Sequence, residues 1–374
     1  MKTKSAVLYE LGLSRPYAES QPLKIRELEL DPPKRGEILV RIKAAGLCHS
    51  DLSVINGDRP RPTPMALGHE AAGIVEKVGE GVDDLQEGDH VVCVFVPSCG
   101  HCLPCQEGRP ALCEKGAETN NQGTLLSGER RLHENGSDIH HHLGVSAFSE
   151  YVVVARNSVV KVDKDVPFER LALFGCAVMT GVGAVVNTAK VQMGSTVAIV
   201  GLGGVGLSAL LGAVASGARK IVAIDLNQEK LEFAKQLGAT DVFNAGDEHV
   251  VENVKAATDG GVDYAFETAG AVPAMDTAYK ITRRGGMTIT TGLPHPSHKF
   301  SFTQVTLTAE ERTMKGSYVG SCVPSRDIPR FIDMYKQGKL PIDKLLSGTI
   351  PLEQINEGFD RLSNGEVNRL VVLP

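Results

Sequence analysis

Residues 196–209 read TVAIVGLGGVGLSA. The first five are apolar and mostly β-branched; Gly201, Gly203 and Gly206 then spell G-x-G-x-x-G directly ahead of an apolar stretch with helical spacing. A buried parallel strand turning into a helix satisfies both halves of this pattern. In such a turn one glycine makes the bend, one lets the backbone approach a pyrophosphate, and one lets helix and strand pack closely. The helix start offers unpaired N–H groups and the positive end of its dipole, so Gly201, Gly203, Gly204, Val205 and Gly206 are the candidate phosphate-facing residues. Asp225 follows Gly206 by nineteen residues and ends the apolar run 221–224, where an acid accepts both ribose hydroxyls and disfavours a 2′-phosphate. The expected cofactor is NAD rather than NADP.

Outward from this turn, strand candidates at 197–200, 220–224, 241–243, 262–266 and 286–290 alternate with helix candidates at 205–216, 228–237, 248–257 and 272–282. That βαβ rhythm predicts a doubly wound parallel sheet over residues 181–320. Residues 4–9, 24–30, 37–45, 71–78 and 88–96 are short strand-like runs between Gly/Pro turns, and 146–154 resumes the pattern, predicting an antiparallel, barrel-like domain over 1–180. Residues 117–145 are polar and glycine-interrupted and read as a surface loop with local structure. The final stretch, 321–374, with a helix at 325–337 and a strand at 367–373, is expected to return to the first domain.

The chain has 374 residues, enough for two or three cores. Lys plus Arg total 39 against 45 Asp plus Glu, a formal charge of -6, which argues against a nucleic-acid partner. No uninterrupted apolar run reaches membrane-spanning length and the N-terminal stretch lacks a secretory apolar segment, so no membrane association and a cytoplasmic location are expected.

Four of the eight cysteines, Cys99, Cys102, Cys105 and Cys113, form C-x2-C-x2-C-x7-C. Four thiolates at this spacing can enclose zinc tetrahedrally with no open position, a structural role. An iron–sulfur cluster, disulfides or inert thiols are the alternatives. Elsewhere GLCHSD at 46–51, GHE at 68–70 and Gly175–Cys176 supply Cys48, His69 and Cys176, two sulfurs and a nitrogen able to hold zinc with the fourth position open. Taken singly, Cys176 is more often a core-packing residue and His69 more often a satisfied polar one, and spacing alone does not bring them together.

GLCHSD, GHE, the loop CGHCLPCQEGRPALC, GCAVMTG and GLGGVG, in this order along nearly the whole chain, resemble the zinc-dependent medium-chain alcohol dehydrogenase family, in its long-loop dimeric branch. The resemblance implies an α/β chain with a GroES-like β-barrel catalytic domain and a Rossmann domain, and two zinc ions per chain. It implies Cys48, His69 and Cys176 as catalytic zinc ligands, with Glu70 beside them as a transient ligand or electrostatic partner. It marks Cys99, Cys102, Cys105 and Cys113 as the structural zinc site. It further implies Asp51 as support for the metal site, Ser50 as the hydroxyl that bonds the reacting alcohol and starts the proton relay, and Phe95 as a substrate-pocket wall. His49 and Arg369 take pyrophosphate roles, Lys230 a ribose contact, and Thr180 a place beside the nicotinamide. Many family members carry histidine where this chain has Ser53, so the solvent end of the relay is not assigned there.

The function implied is reversible oxidation of primary or secondary alcohols to aldehydes or ketones with hydride transfer to NAD, on a small-molecule alcohol or aldehyde, in a homodimer. A related alternative is S-(hydroxymethyl)glutathione dehydrogenation. Ala117 and Pro60 replace an arginine and an acid expected of that branch and weaken an anionic-adduct site. A zinc-stabilised NAD-binding regulatory protein is the non-enzymatic alternative.

Overall fold

In the strand Glu37–Gly46, EILVRIKAAG, Ile38, Val40 and Ile42 alternate with more exposed residues at its centre, and the first buried sheet forms around it. Its partners run antiparallel on both sides: Glu70–Val78 with Gly46 opposite Glu70, and Tyr151–Ala155 with Ile38 opposite Val154. The sheet continues through His90–Cys93 and Val159–Val162 at one end and Arg369–Leu373 and Leu346–Pro351 at the other. Beside it, Lys2–Leu8, Leu23–Leu30, Leu132–Glu134, Ser137–His141 and Met65–Ala66 close into a barrel. One core, including Ile38, Val40, Leu47, Val75, Val91, Phe148, Val152, Phe359 and Val372, lies under these strands.

This computed structural model describes residues 1–374 in two units. The first comprises Met1–Cys176, Val323–Ile332 and Asp343–Pro374; the second comprises Ala177–Cys322 and Asp333–Ile342. The chain thus changes units at Cys176 rather than at residue 180, and 333–342 belongs with the second unit, not with the returning tail.

The second unit is a six-stranded parallel sheet in the order Asp241–Asn244, Lys220–Asp225, Thr196–Val200, Val262–Glu267, Thr282–Thr290, Thr313–Gly316. Helices Gly204–Ala215, Gln228–Leu237, Val250–Ala257 and Val272–Ile281 alternate with the strands. This is the doubly wound order, with the glycine turn leaving the central strand Thr196–Val200, every residue of which is buried. The strand Thr313–Gly316, TMKG, has no apolar pattern because it sits at the sheet's exposed edge, and periodicity gave no warning of it.

One expectation changes. Residues 117–145 are more than a surface loop with local structure: they contain the end of helix Glu114–Gln122 and two strands of the barrel. A few of their polar side chains are buried against polar partners. Arg131, 2% exposed, grips Glu37 through Nε–Oε2 at 2.8 Å and Nη2–Oε1 at 2.9 Å, and such bidentate pairing permits burial. The helical stretch Phe168–Ala189 is long and apolar enough for a membrane span, but 89% of its most apolar 18-residue window is buried inside the protein. It is a core segment, broken by π turns at Phe174–Val178 and Ala184–Ala189.

Candidate metal centre and dinucleotide turn

Three chain segments of the first unit converge on one point. Cys48 caps the short helix His49–Ile55. His69 follows Gly68, whose φ of +98° and whose Cα, with no room for a Cβ (2.4 Å from Phe148 N), require glycine. Cys176 lies in the π turn Phe174–Val178, a widened helical turn of the kind that recurs at functional sites. All three side chains are buried, and one ligand atom from each lies within 4.8 Å of the others. The Cys48 and Cys176 sulfurs are 4.0 Å apart. Two thiolates bound tetrahedrally at about 2.3 Å from one zinc stand about 3.8 Å apart, so the spacing fits.

The protonation pattern fits the same conclusion. Sharing a proton between the sulfurs, with Arg369 and His69 nearby, holds the Cys48 thiol well below its ordinary value and drives Cys176 well above. Burial works against a charged His69, but the Asp51 carboxylate overrides it and raises the ring. His69 Nδ1 contacts Asp51 Oδ1 at 3.1 Å, which leaves Nε2 buried with no hydrogen-bond partner. An orphaned ring nitrogen beside two thiols is the donor set of a zinc ion, which displaces these protons on binding.

Around the triad, Asp51 is fully buried; burial opposes its charge, and His69 and His142 hold its carboxyl below the usual range. Glu70, on the strand residue next to His69, is also fully buried, and both its oxygens lack hydrogen-bond partners. Burial pushes its carboxyl up to about 7, against the pull of Arg369. Gly46 lets this carboxylate in, since a Cβ there would stand 2.3 Å from Glu70 Oε1. Arg369, 3% exposed, lies 3.8 Å from Glu70 Oε2 and donates to Leu47 O at 3.0 Å. The residue expected at a pyrophosphate thus faces the Glu70 side of the metal pocket. Phe95 sets its ring edge-on to His69 at 5.1 Å. Ser50 is half-buried one residue before Asp51, and His49 is exposed. Ser53 donates to His49 O at 2.9 Å, so its hydroxyl already serves its own helix.

The second cysteine cluster is separate. Cys102 caps the turn Leu103–Gln106, and Cys113 caps Glu114–Gln122. The four sulfurs lie within 4.8 Å of one another, with Cys102 and Cys113 at 3.9 Å, and none is in a disulfide. Backbone N–H groups of Cys99, Cys102 and Gly116 point at these sulfurs at 3.2–3.4 Å. N–H groups of Cys105 and Glu114 lower the Cys102 thiol to about 6, while burial raises Cys105 to about 12. Such close sulfurs suit a single ion; a multi-iron cluster would hold them further apart by sitting between them.

In the second unit, Gly201 has φ +96°. A Cβ at Gly206 would come within 1.9 Å of Gly201 O. Gly203 caps the helix at φ -74°, ψ -175°, a conformation open to any residue, and a Cβ there would meet nothing within 4 Å. The protein itself therefore has no need of glycine at 203, whereas a ligand lying on the turn would. Asp225 accepts Leu202 N–H at 2.6 Å and Asn227 N–H at 2.9 Å, one on each oxygen, so it orders the turn and retains lone pairs. Lys230 stands in the first turn of Gln228–Leu237, and Thr180 is half-buried in Met179–Gly183.

Cys48, His69, Cys176, Glu70, Asp51 and Phe95 thus meet in one unit, and Gly201, Gly203, Gly204, Val205, Gly206 and Asp225 in the other. Sequence reading missed His142, whose Nδ1 is 3.2 Å from Asp51 Oδ1. The run of three histidines at 140–142 was the available signal, lost inside a segment read as loop.

Comparison with known proteins agrees with this arrangement. Residues 34–164 match the family described as alcohol dehydrogenase GroES-like domain, and residues 204–337 the family described as zinc-binding dehydrogenase. The alcohol dehydrogenase zinc-binding domain protein from Burkholderia ambifaria is 35% identical with TM-score 0.94, the match covering 100% of this chain and 99% of that one. The benzyl alcohol dehydrogenase from Acinetobacter calcoaceticus is 34% identical with TM-score 0.93, again over 100% and 99% of the two chains. With a barrel unit, a doubly wound unit and both cysteine sets in place, the chain belongs to the zinc-dependent medium-chain alcohol dehydrogenase family.

Proposed function

We propose that the protein catalyses the reversible, NAD-dependent oxidation of alcohols to aldehydes or ketones, with primary aromatic alcohols such as benzyl alcohol as the favoured substrates. The buried Cys48, His69 and Cys176 cluster, with its orphaned Nε2, carries this reading. Zinc bound there supplies Lewis-acid polarisation of the substrate oxygen. NAD supplies the hydride acceptor.

The chain's own residues do the rest. Asp51 fixes the His69 ring so that Nε2 keeps its lone pair for the metal. Ser50, beside Cys48 at the helix start, receives the substrate hydroxyl proton and passes it outward; Ser53, already bonded to His49 O, is not the next carrier. Glu70, buried and opposed by Arg369, provides a carboxylate beside the metal pocket. Phe95 supplies an apolar wall, which favours an aromatic or aliphatic substituent over a charged one. With NAD bound, the glycine turn and Asp225 would hold the pyrophosphate and ribose, Lys230 would add a cationic ribose contact, and Thr180 would face the nicotinamide. Cys99, Cys102, Cys105 and Cys113 hold a second, structural zinc. The active form is a homodimer.

The aromatic preference draws support from the 34% identity to a benzyl alcohol dehydrogenase over the full chain. Parallel turnover assays with benzyl alcohol and S-(hydroxymethyl)glutathione, each with NAD and NADP, test the proposal. The expected result is faster NAD-linked turnover of benzyl alcohol; a strong preference for the glutathione adduct, or for NADP, would overturn the substrate or cofactor assignment.

A further inference from the structure

We propose that His142 is a positioning residue for the metal-binding ring of His69, acting through Asp51, to whose Oδ1 it turns a second imidazole nitrogen. The inference rests on the metal centre proposed above. Asp51 Oδ1 contacts His69 Nδ1 at 3.1 Å and accepts from Gly68 N–H at 3.3 Å, and His142 Nδ1 approaches the same oxygen at 3.2 Å. All three residues are at most 1% exposed.

The alternative is that His142 only fills space, and three observations weigh against it. First, its backbone is fixed at this spot: its N–H donates to Ala66 O and Ser146 Oγ, and its carbonyl accepts from Val145 and Ser146 N–H. Second, its neighbours have other partners. His140 Nδ1 accepts from Arg130 Nε at 3.2 Å, and His141 Nε2 accepts from Arg131 N–H at 3.1 Å. Only the third histidine of the run faces the metal centre. Third, the His142 nitrogen falls short of an aligned hydrogen bond, and Asp51 Oδ2 also lacks a partner. Burying a polar nitrogen this way costs stability that an apolar ring would avoid. What imidazole adds over phenyl is a polar nitrogen 3.2 Å from Asp51 Oδ1, whose dipole holds the carboxylate in a buried site where electrostatic attraction is little screened.

The consequence is steric as well as electrostatic. His69 is held between two rings set edge-on to it, Phe95 at 5.1 Å and 82° and His142 at 5.5 Å and 85°. With His142 restraining Asp51, the carboxylate cannot swing its free oxygen toward His69, and the ring keeps one orientation and one tautomer toward the metal. Groups bonded directly to a metal-binding histidine, as Asp51 is to His69, commonly change metal affinity or activity by 10- to 100-fold when removed, and His142 acts one step further out, toward the lower end of that range.

His142→Phe and His142→Asn separate the possibilities, because an asparagine Nδ2 can occupy the place of imidazole Nδ1 and restore the donor. On full-length holoprotein, zinc content, zinc transfer to a chromogenic chelator, the absorption bands of the cobalt(II)-substituted triad and the thermal midpoint are measured. The expected result is roughly tenfold faster release of the triad zinc from His142→Phe, shifted cobalt bands, unchanged release from the four-cysteine site, and recovery in His142→Asn. If the Phe variant does not fold, His142→Leu reports the same loss. Release and bands unchanged in His142→Phe would overturn the proposal. So would equal defects in the Phe and Asn variants tracking a common drop in thermal midpoint, which marks packing alone. So would a third zinc in the wild type lost from both variants, which marks His142 as a ligand. Wild-type protein with no metal at the triad would instead remove the centre itself.

Discussion

Gly203 gives the cleanest test of a ligand on the glycine turn, because the protein and the proposed cofactor make opposite demands on it. Its φ of -74° and ψ of -175° suit any residue, and the space a Cβ would enter is empty to 4 Å. Gly203→Ala therefore gains from a less flexible unfolded chain, about 0.4–1 kcal/mol, and loses a comparable amount because alanine is a poorer helix cap than glycine. Net stability should stay within about 1 kcal/mol of wild type. For NAD the methyl group lies where the pyrophosphate meets the helix start. Losing one charge-assisted N–H contact there costs roughly 1.5–3 kcal/mol, a 10- to 100-fold weaker Kd at about 1.4 kcal/mol per decade. Titration of NADH by fluorescence, beside urea unfolding of the free protein, reads both quantities. Gly206→Ala is the control: its Cβ would meet Gly201 O at 1.9 Å, so it must lose stability as well as affinity. Unchanged NADH affinity in a normally stable Gly203→Ala would refute the reasoning.

Other outcomes follow from the metal sites and the buried acid. Cys102→Ala opens the four-cysteine cluster and should lower zinc content from two to one per chain and the thermal midpoint by roughly 5–10 °C, measured by metal analysis and a thermal scan; two zincs retained would contradict the closed site. In metal-stripped protein, Glu70 has its carboxyl raised from 4.5 to about 7 by burial. The folded state then keeps a proton that the unfolded chain loses between those values, so stability is greater below the window and falls as pH rises through it, by up to about 3 kcal/mol. Glu70→Gln should flatten that decline between pH 5 and pH 8 in urea unfolding, and an unaltered slope would count against a buried, metal-free Glu70.

Much of this molecule could be read directly from the chain because its signals are local. The glycine turn, strand 196–200 and Asp225 lie within thirty residues and obey simple backbone rules, and the four cysteines lie on one short loop. The triad was different. Cys48, His69 and Cys176 are far apart in sequence, and their meeting depends on the antiparallel sheet that sets Gly46 opposite Glu70 and on the π turn around Cys176. Nothing in spacing encodes those, so the family resemblance had to supply them. In residues 117–145 polarity predicts exposure, and a few residues break that rule: Arg131 is buried against Glu37 and His142 against Asp51. Pairing of buried polar groups is a tertiary property with no sequence period. Arg369 shows the same limit, since only the folded chain sets it beside Glu70.

Anomalous diffraction at the zinc edge, from crystals of protein purified without chelators, tests the central claim most directly. The expected map has one peak bounded by Cys48 Sγ, His69 Nε2 and Cys176 Sγ, at about 2.3 Å from each sulfur and about 2.0–2.1 Å from the nitrogen, and a second among Cys99, Cys102, Cys105 and Cys113. A peak at the four-cysteine loop with none at the triad, in zinc-replete protein that still turns over alcohol, would contradict it.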